Sequence, residues 1–211
     1  MATRLFAALL LLVSLSLTCQ AMAKAANVDE VADAVRQGLL DHFDAIDAGD
    51  ADAIRSSYFV VDAQARLLDS IVESAVSRKK AIDAATAALD KAEPLLVPAD
   101  FRHAVSKAKV VTNDDRATVQ PAAGRDFKMR RVDGIWRVDM ARDHDAMSLE
   151  EDAEIAYQQD LSNRYEQLAI DLLAGDIADE DSLYDRVEQI NRKAHQVYVE
   201  AKKLPPTTQP K

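Results

Sequence analysis

Cysteine is almost absent from this chain: Cys19 is the single one among 211 residues. One cysteine cannot form an internal disulfide, so the small secreted proteins that depend on a disulfide framework are excluded. The fold must therefore be held together by a hydrophobic core, which is feasible because a chain of this length buries about 70% of its surface.

Glycine is also scarce, with five residues in the chain. The sequence has no glycine-rich phosphate loop and no G-x-S-x-G motif, so two common signatures of nucleotide binding and serine hydrolysis are missing. Acidic residues outnumber basic ones, 36 against 26, and the formal net charge is −10. This charge argues against nucleic acid as a partner. No catalytic residue, metal or cofactor is predicted, and the run Asp143-His144-Asp145 is interpreted as a polar loop.

Residues 1–23 have the pattern of a signal peptide. Arg4 supplies the positive charge, Leu5–Thr18 is an apolar run, and Ala21-Met22-Ala23 fits an A-x-A cleavage site. The sequence predicts cleavage after Ala23 and a protein that is exported to a bacterial periplasm or secreted. A lipoprotein anchored at Cys19 is the minor alternative. No later segment is long and apolar enough to be predicted as a transmembrane helix.

Apolar residues recur at steps of three and four in the N-terminal part, which predicts helices. Gly49 is placed to end the first helix in a left-handed conformation, and Asp50 is placed to cap the second. The predicted helices extend from Asn27 to Gly49, from Asp50 to about Tyr58, and from about Asp62 to Lys91.

The pattern changes to strands after about residue 101. Ala104–Thr112 and Arg116–Gln120 are predicted strands, and Phe127–Met140 is predicted to form a β-hairpin around the two-residue turn Asp133-Gly134. One register of that hairpin places its apolar residues, Trp136 among them, on a single face. We expect a four-stranded antiparallel sheet in which strands that are neighbours in sequence pair.

The last part of the chain is predicted to be helical again. Ser148 and Glu151 form a capping box, and Gly175 stops the helix that follows it. The final helix begins at Asp179 or Asp181. Because the link between them is short, these two helices are expected to form an antiparallel pair.

Together these elements predict an α+β fold. N-terminal helices pack on a four-stranded antiparallel sheet within residues 24–145, and a C-terminal helical hairpin, residues 146–204, packs on that domain. Residues 205–211 are predicted to be a flexible tail.

The segment from Phe43 to Ile54, FDAIDAGDADAI, resembles the first helix pair of the nuclear transport factor 2-like superfamily, which includes the SnoaL-like proteins. The strand Ala117–Gln120 and the hairpin, with its DG-x-W motif, are similar to the sheet of that group. The resemblance covers about residues 28–140. It implies a cone-shaped α+β fold with a pocket between a curved sheet and the helices. Many members bind small apolar ligands, and some are isomerases, dehydratases or hydrolases.

Two features depart from that family pattern. The long helix from Asp62 replaces a strand and a shorter helix, and the helices after Met140 would cover the sheet face that forms the pocket in the family. No matching catalytic motif is present, so no catalytic residue of the family can be carried over.

If the sheet carries a pocket, we expect the residues with polar tips near it to be Tyr58, His103, Arg131, Trp136 and Asp139. His42 has no metal-ligand type three or four residues away on its helix, and it is predicted to be solvated or half-buried.

The leading hypothesis is an exported, non-enzymatic module that binds a partner protein or a small apolar ligand. One alternative is a small-molecule binder or enzyme of the nuclear transport factor 2-like kind, with a pocket on the sheet face. Another is a helical assembly protein that pairs between chains through the helix Asp62–Lys91 and the last two helices.

Overall fold

The computed structural model describes residues 29–122, 124–140 and 147–203. The predicted signal peptide, the cap at Asn27, the run Asp143-His144-Asp145 and the tail 205–211 lie outside these ranges. The fold is α+β, as predicted. The helices are α1 (29–48), α2 (Ala51–Ser57), α3 (Ala65–Leu89), α4 (Ala99–Ser106), α5 (Met147–Ala174) and α6 (Glu180–Ala201). The strands are β1 (Tyr58–Phe59), β2 (Lys109–Asn113), β3 (Arg116–Gln120), β4 (Phe127–Val132) and β5 (Ile135–Asp139).

The strands form one mixed sheet in the order β1-β5-β4-β3-β2. The predicted antiparallel meander is confirmed for β2 to β5, and so is the hairpin register, in which Met129 pairs with Val138 and Arg131 with Trp136. The prediction of four antiparallel strands was wrong in one respect, because β1 pairs in parallel with β5, with Tyr58 opposite Val138. A two-residue strand is too short to show the alternation by which strands are recognised.

Helix α4 occupies the region where the predicted strand Ala104–Thr112 was expected to begin, and β2 starts only at Lys109. The helix forms because Phe101 and Val105, four residues apart, both pack into the core against the sheet. As a result, His103 lies on an exposed helix surface and not at a strand edge.

The links between helices follow the predicted chemistry. Gly49 ends α1 with φ of 60°, and Gly175 ends α5 with φ of 81°. The carboxylate of Asp50 accepts two backbone N–H groups in the first turn of α2. At the start of α6, the carboxylate of Asp179 accepts the N–H of Ser182 at 2.8 Å.

Three groups of apolar side chains form the interior. The inner face of the sheet packs against α1 and α4, and the second half of α3 packs against α5 and α6. A third group joins α1 and α2 to the first half of α3. The buried residues on the inner face of the sheet are Ala117, Val119, Met129 and Trp136.

Helices α5 and α6 are antiparallel, because Lys202 just after α6 pairs with Glu150 at the start of α5 at 2.9 Å. Small residues let α3 and α5 approach closely, and the hydroxyls of Ser77 and Ser162 lie 2.9 Å apart in their interface. The three helices α3, α5 and α6, here called the helical bundle, therefore form a core of their own beside the sheet. None of the helices within the described ranges is long and apolar enough to span a membrane.

Candidate functional site

A groove of about 810 Å³ lies between the sheet layer and the helical bundle. Helix α1, β1 and the start of β4 contribute to one side, and α3, α5 and α6 contribute to the other. Aromatic and polar side chains line it, among them His42, Phe43, Tyr58, Ser74, Phe101, Arg125, Phe127, Glu154, Tyr157, Gln158 and Tyr165.

One wall of the groove is an aromatic triangle, formed by Phe43, Phe101 and Phe127. The ring centroids of Phe43 lie 5.7 Å from Phe101 and 5.8 Å from Phe127, and those of Phe101 and Phe127 are 6.1 Å apart. These separations are typical of favourable aromatic packing. The triangle brings together α1, α4 and β4, so it gives the groove a preformed apolar surface.

The facing wall is polar and ordered by hydrogen bonds. Gln158 donates from Nε2 to Oε1 of Glu154 at 3.1 Å, and the hydroxyl of Ser74 donates to Oε1 of Gln158 at 2.6 Å.

Burial raises the pKa of the Tyr58 phenol; the charge of Arg125 opposes this, and the charge of Glu154 adds to it. Tyr58 is therefore a neutral hydrogen-bond donor at physiological pH.

His42 is buried, with only 4% of its surface exposed, so the expectation that it is solvated or half-buried was wrong. Its Nδ1 lies 2.8 Å from the hydroxyl of Ser57, and that hydroxyl donates to the carbonyl of Ile54 at 2.7 Å near the end of α2. Because a serine has one proton to give, His42 donates from Nδ1 and keeps Nε2 as an acceptor. Burial and the nearby charge of Arg125 lower its pKa to about 4, so the ring is neutral at pH 7.

Arg125 provides positive charge at the rim of the groove. Its guanidinium lies 5.6 Å from the centre of the Phe127 ring, and the side chain is exposed. Among the residues that the structure describes, it makes no ion pair. Its positive charge acts to lower the pKa of both His42 and Tyr58, which line the groove.

An ion-pair network braces another part of the rim. Asp47 of α1 pairs with Arg78 of α3 and with Arg102 of α4, the latter at 2.6 Å. The same carboxylate accepts the backbone N–H of Val97 at 3.1 Å. Arg102 also pairs with Asp44 at 2.6 Å. The network joins three helices and the segment before α4, so it links the two sides of the groove.

The structure does not bring the five predicted site residues together. Tyr58 lines the groove, whereas Trp136 is 6% exposed and packs in the core of the sheet layer. His103 and Arg131 are exposed outside the groove. Asp139 is paired with Phe59 on the face of the sheet that is directed away from α1 and α4.

Sequence reasoning missed Arg125, Glu154 and the aromatic triangle as groove residues. They come from α1, α4, the start of β4 and α5, and no motif connects such distant segments. For His42 the sequence argued against a metal site and predicted a solvated or half-buried side chain, so its place in the groove was missed. In the described ranges, no group of three His, Cys, Asp or Glu side chains is arranged to hold a metal ion.

Comparison with family models, with curated proteins and with solved structures finds no match to this chain. The resemblance to the nuclear transport factor 2-like superfamily therefore stays a prediction.

Proposed function

We propose that this is an exported, non-enzymatic binding protein whose groove holds an elongated amphipathic ligand with an acidic group. The apolar part of the ligand lies on the aromatic triangle, and its anionic group approaches Arg125. The observation that carries this proposal is the preformed groove with an aromatic wall and, at its rim, an exposed arginine that makes no ion pair with any residue the structure describes. The export part rests on the N-terminal sequence pattern alone.

The size and chemistry of the groove support a small-molecule ligand. Sites for drug-sized ligands measure roughly 300–1,000 Å³ and combine apolar walls with a few polar groups, and a groove of about 810 Å³ lies in that range. Covering apolar surface contributes about 25 cal/mol for each Å² removed from water. The aromatic triangle therefore supplies affinity, and the polar wall supplies orientation.

The protonation states favour binding over acid–base catalysis. Burial lowers the pKa of His42 to about 4 and raises the pKa of Tyr58. A general acid or base works best when its pKa lies near the working pH, and both groups are shifted away from neutrality. They serve as a fixed acceptor and a fixed donor for a bound ligand.

Binding of decanoate and of decanol, which differ in charge but share an alkyl chain, tests this proposal. Arg125→Gln is expected to weaken decanoate by about tenfold, because a charge-assisted hydrogen bond is lost, and to leave decanol nearly unchanged. Glu154→Gln is expected to tighten decanoate, since it removes a negative charge from the groove. Isothermal titration calorimetry of the exported protein measures all of these affinities.

Arg131→Gln is the matched control, since it removes an exposed arginine on the β4–β5 hairpin and changes the net charge equally. The proposal fails if wild type binds neither compound, or if the two arginine variants lose decanoate to the same extent.

Assembly through the helices is a second candidate, favoured by one specific observation. Ile170 and Leu173 of α5 are 59% and 71% exposed, and they lie three residues apart on one helix face. Light scattering tests it: wild type should form dimers or larger species, and Ile170→Lys with Leu173→Lys should return the protein to a monomer. A wild-type monomer at high concentration would remove this candidate.

A further inference from the structure

The outer face of the sheet, directed away from α1 and α4, carries a concentration of positive charge in an acidic protein. Alternation along β2 to β5 places five basic residues on that face, and Asp139 is the acidic residue of those strands that lies on it. The formal net charge of the whole chain is −10. The basic residues are Lys109, Arg116, Lys128, Arg130 and Arg137.

Three of these arginines form a row across adjacent strands, here called the arginine row: Arg116, Arg130 and Arg137. Arg116 on β3 is directly opposite Arg130 on β4, and Arg130 is directly opposite Arg137 on β5. Neighbouring strands are about 4.8 Å apart, and like charges directly opposite each other destabilise a sheet. The arrangement therefore opposes folding unless a negative charge compensates it.

Within the described ranges, ion pairs neutralise only part of the positive charge of the arginine row. The Nε of Arg130 lies 3.5 Å from Oδ2 of Asp115, and its guanidinium stacks over the ring of Phe59 at 4.4 Å. Arg116 and Arg137 make no ion pair there, and Nε of Arg137 is buried without a hydrogen-bond acceptor. Within the described ranges, the three guanidinium groups thus share one ion pair, which is 3.5 Å long.

We propose that the arginine row docks an acidic segment of a partner protein. Carboxylates three or four residues apart on a helix have Cβ atoms about 5–6 Å apart, which matches the spacing between strands. Arginine binds carboxylates through two parallel hydrogen bonds, so a row of arginines selects a row of acidic side chains.

A protein partner suits this face better than a nucleic acid. Val111 and Ile135, 49% and 59% exposed, lie on the same face as the arginine row. Protein interfaces are enriched in arginine beside apolar groups, so this combination suits a protein surface. A nucleic acid would in addition be repelled by the net charge of −10.

Fluorescence anisotropy with a labelled, alanine-rich helical peptide that carries glutamates four residues apart tests the proposal. The exported protein is compared with the double variant Arg116→Gln, Arg137→Gln. The matched control is Arg192→Gln, Lys193→Gln, which removes two exposed charges from α6 and alters the net charge equally. A single-stranded DNA oligonucleotide and inorganic tripolyphosphate serve as competitors.

The expected result is binding of the glutamate peptide that weakens at least tenfold in the arginine-row variant and less than twofold in the control. Thermal melting should show that the arginine-row variant is folded and no less stable than wild type. Absence of peptide binding, or an equal loss in both variants, overturns the proposal. Displacement of the peptide by DNA or tripolyphosphate at lower concentration overturns the choice of a protein partner.

Discussion

The two faces of the sheet differ in what they contribute to the molecule. The inner face carries Met129 and Trp136, which are 1% and 6% exposed and pack against α1 and α4. The outer face carries a row of arginines that repel one another. Stability alone explains the first arrangement but not the second. The comparison indicates that the inner face builds the fold, and it supports the proposal that the outer face binds a partner.

The largest expected effect comes from truncating the inner face. Trp136→Ala should lower the free energy of unfolding by about 3–5 kcal/mol, because a buried ring is lost and a cavity remains. Its neighbour Ile135, on the outer face and 59% exposed, is the matched control. Ile135→Ala should change stability by less than about 0.5 kcal/mol. Urea unfolding measures both, and equal losses would contradict the difference between the faces.

A second expected effect is a pH dependence that arises from His42. Its pKa falls from an ordinary 6.5 to about 4 in the folded protein. Above pH 6.5 the imidazole of His42 is unprotonated in both the folded and the unfolded protein. Between pH 6.5 and 4 only the unfolded protein binds a proton there, so the free energy of unfolding decreases as the pH falls through that window. The loss should be about 3 kcal/mol.

His42→Gln should remove that contribution and flatten the curve of unfolding free energy between pH 6.5 and 4. His103→Gln is the control, since His103 is exposed on α4. If the two variants show the same slope as wild type, burial of His42 does not control the acid sensitivity.

A smaller effect is expected where α1 crosses the inner face. A Cβ added at Gly38 would lie 2.8 Å from the carbonyl oxygen of Trp136 and 3.0 Å from its Cβ. Gly38→Ala should therefore cost about 1–3 kcal/mol by overpacking, although alanine is the better helix former. Gln37→Ala, one residue earlier and exposed, should not destabilise the helix. A stabilised Gly38→Ala variant would show that the contact between α1 and β5 is looser than described.

The smallest expected change in the free energy of unfolding is an increase, and it comes from a residue on the outer face of the sheet. Arg137→Gln should stabilise the free protein by about 0.2–1 kcal/mol, because it removes a like-charge pair. The gain should shrink at high salt, where repulsion is screened. Arg192→Gln on α6 is the control, because it changes the net charge of the protein by the same amount. A destabilised Arg137→Gln variant would mean that this guanidinium supports the fold.

Local chemistry made much of the fold predictable. The turn Asp133-Gly134, the stops at Gly49 and Gly175, and the caps at Asp50 and Asp179 depend on a few adjacent residues. Such signals depend little on distant contacts, so the hairpin register and most helix ends were predicted correctly.

What sequence reasoning missed depends on tertiary contacts. Strand β1 forms by pairing with the edge of β5. Helix α4 is held against α1 by the ion pairs of Arg102 with Asp44 and Asp47. The groove likewise arises from residues far apart in sequence. Tyr58 was the one predicted site residue that lines it, because the expected pocket was placed on the sheet face that α1 and α4 cover.

The central claim is that ligand enters the groove and not the outer face of the sheet. Nuclear magnetic resonance of the exported protein during a decanoate titration tests it most directly. We expect shifts in the Arg125 Nε–H, the His42 ring and the methyl groups beside the aromatic triangle, with the signals of Arg116 and Arg137 unchanged. Shifts confined to the arginine row, or none at ligand excess, would contradict the account.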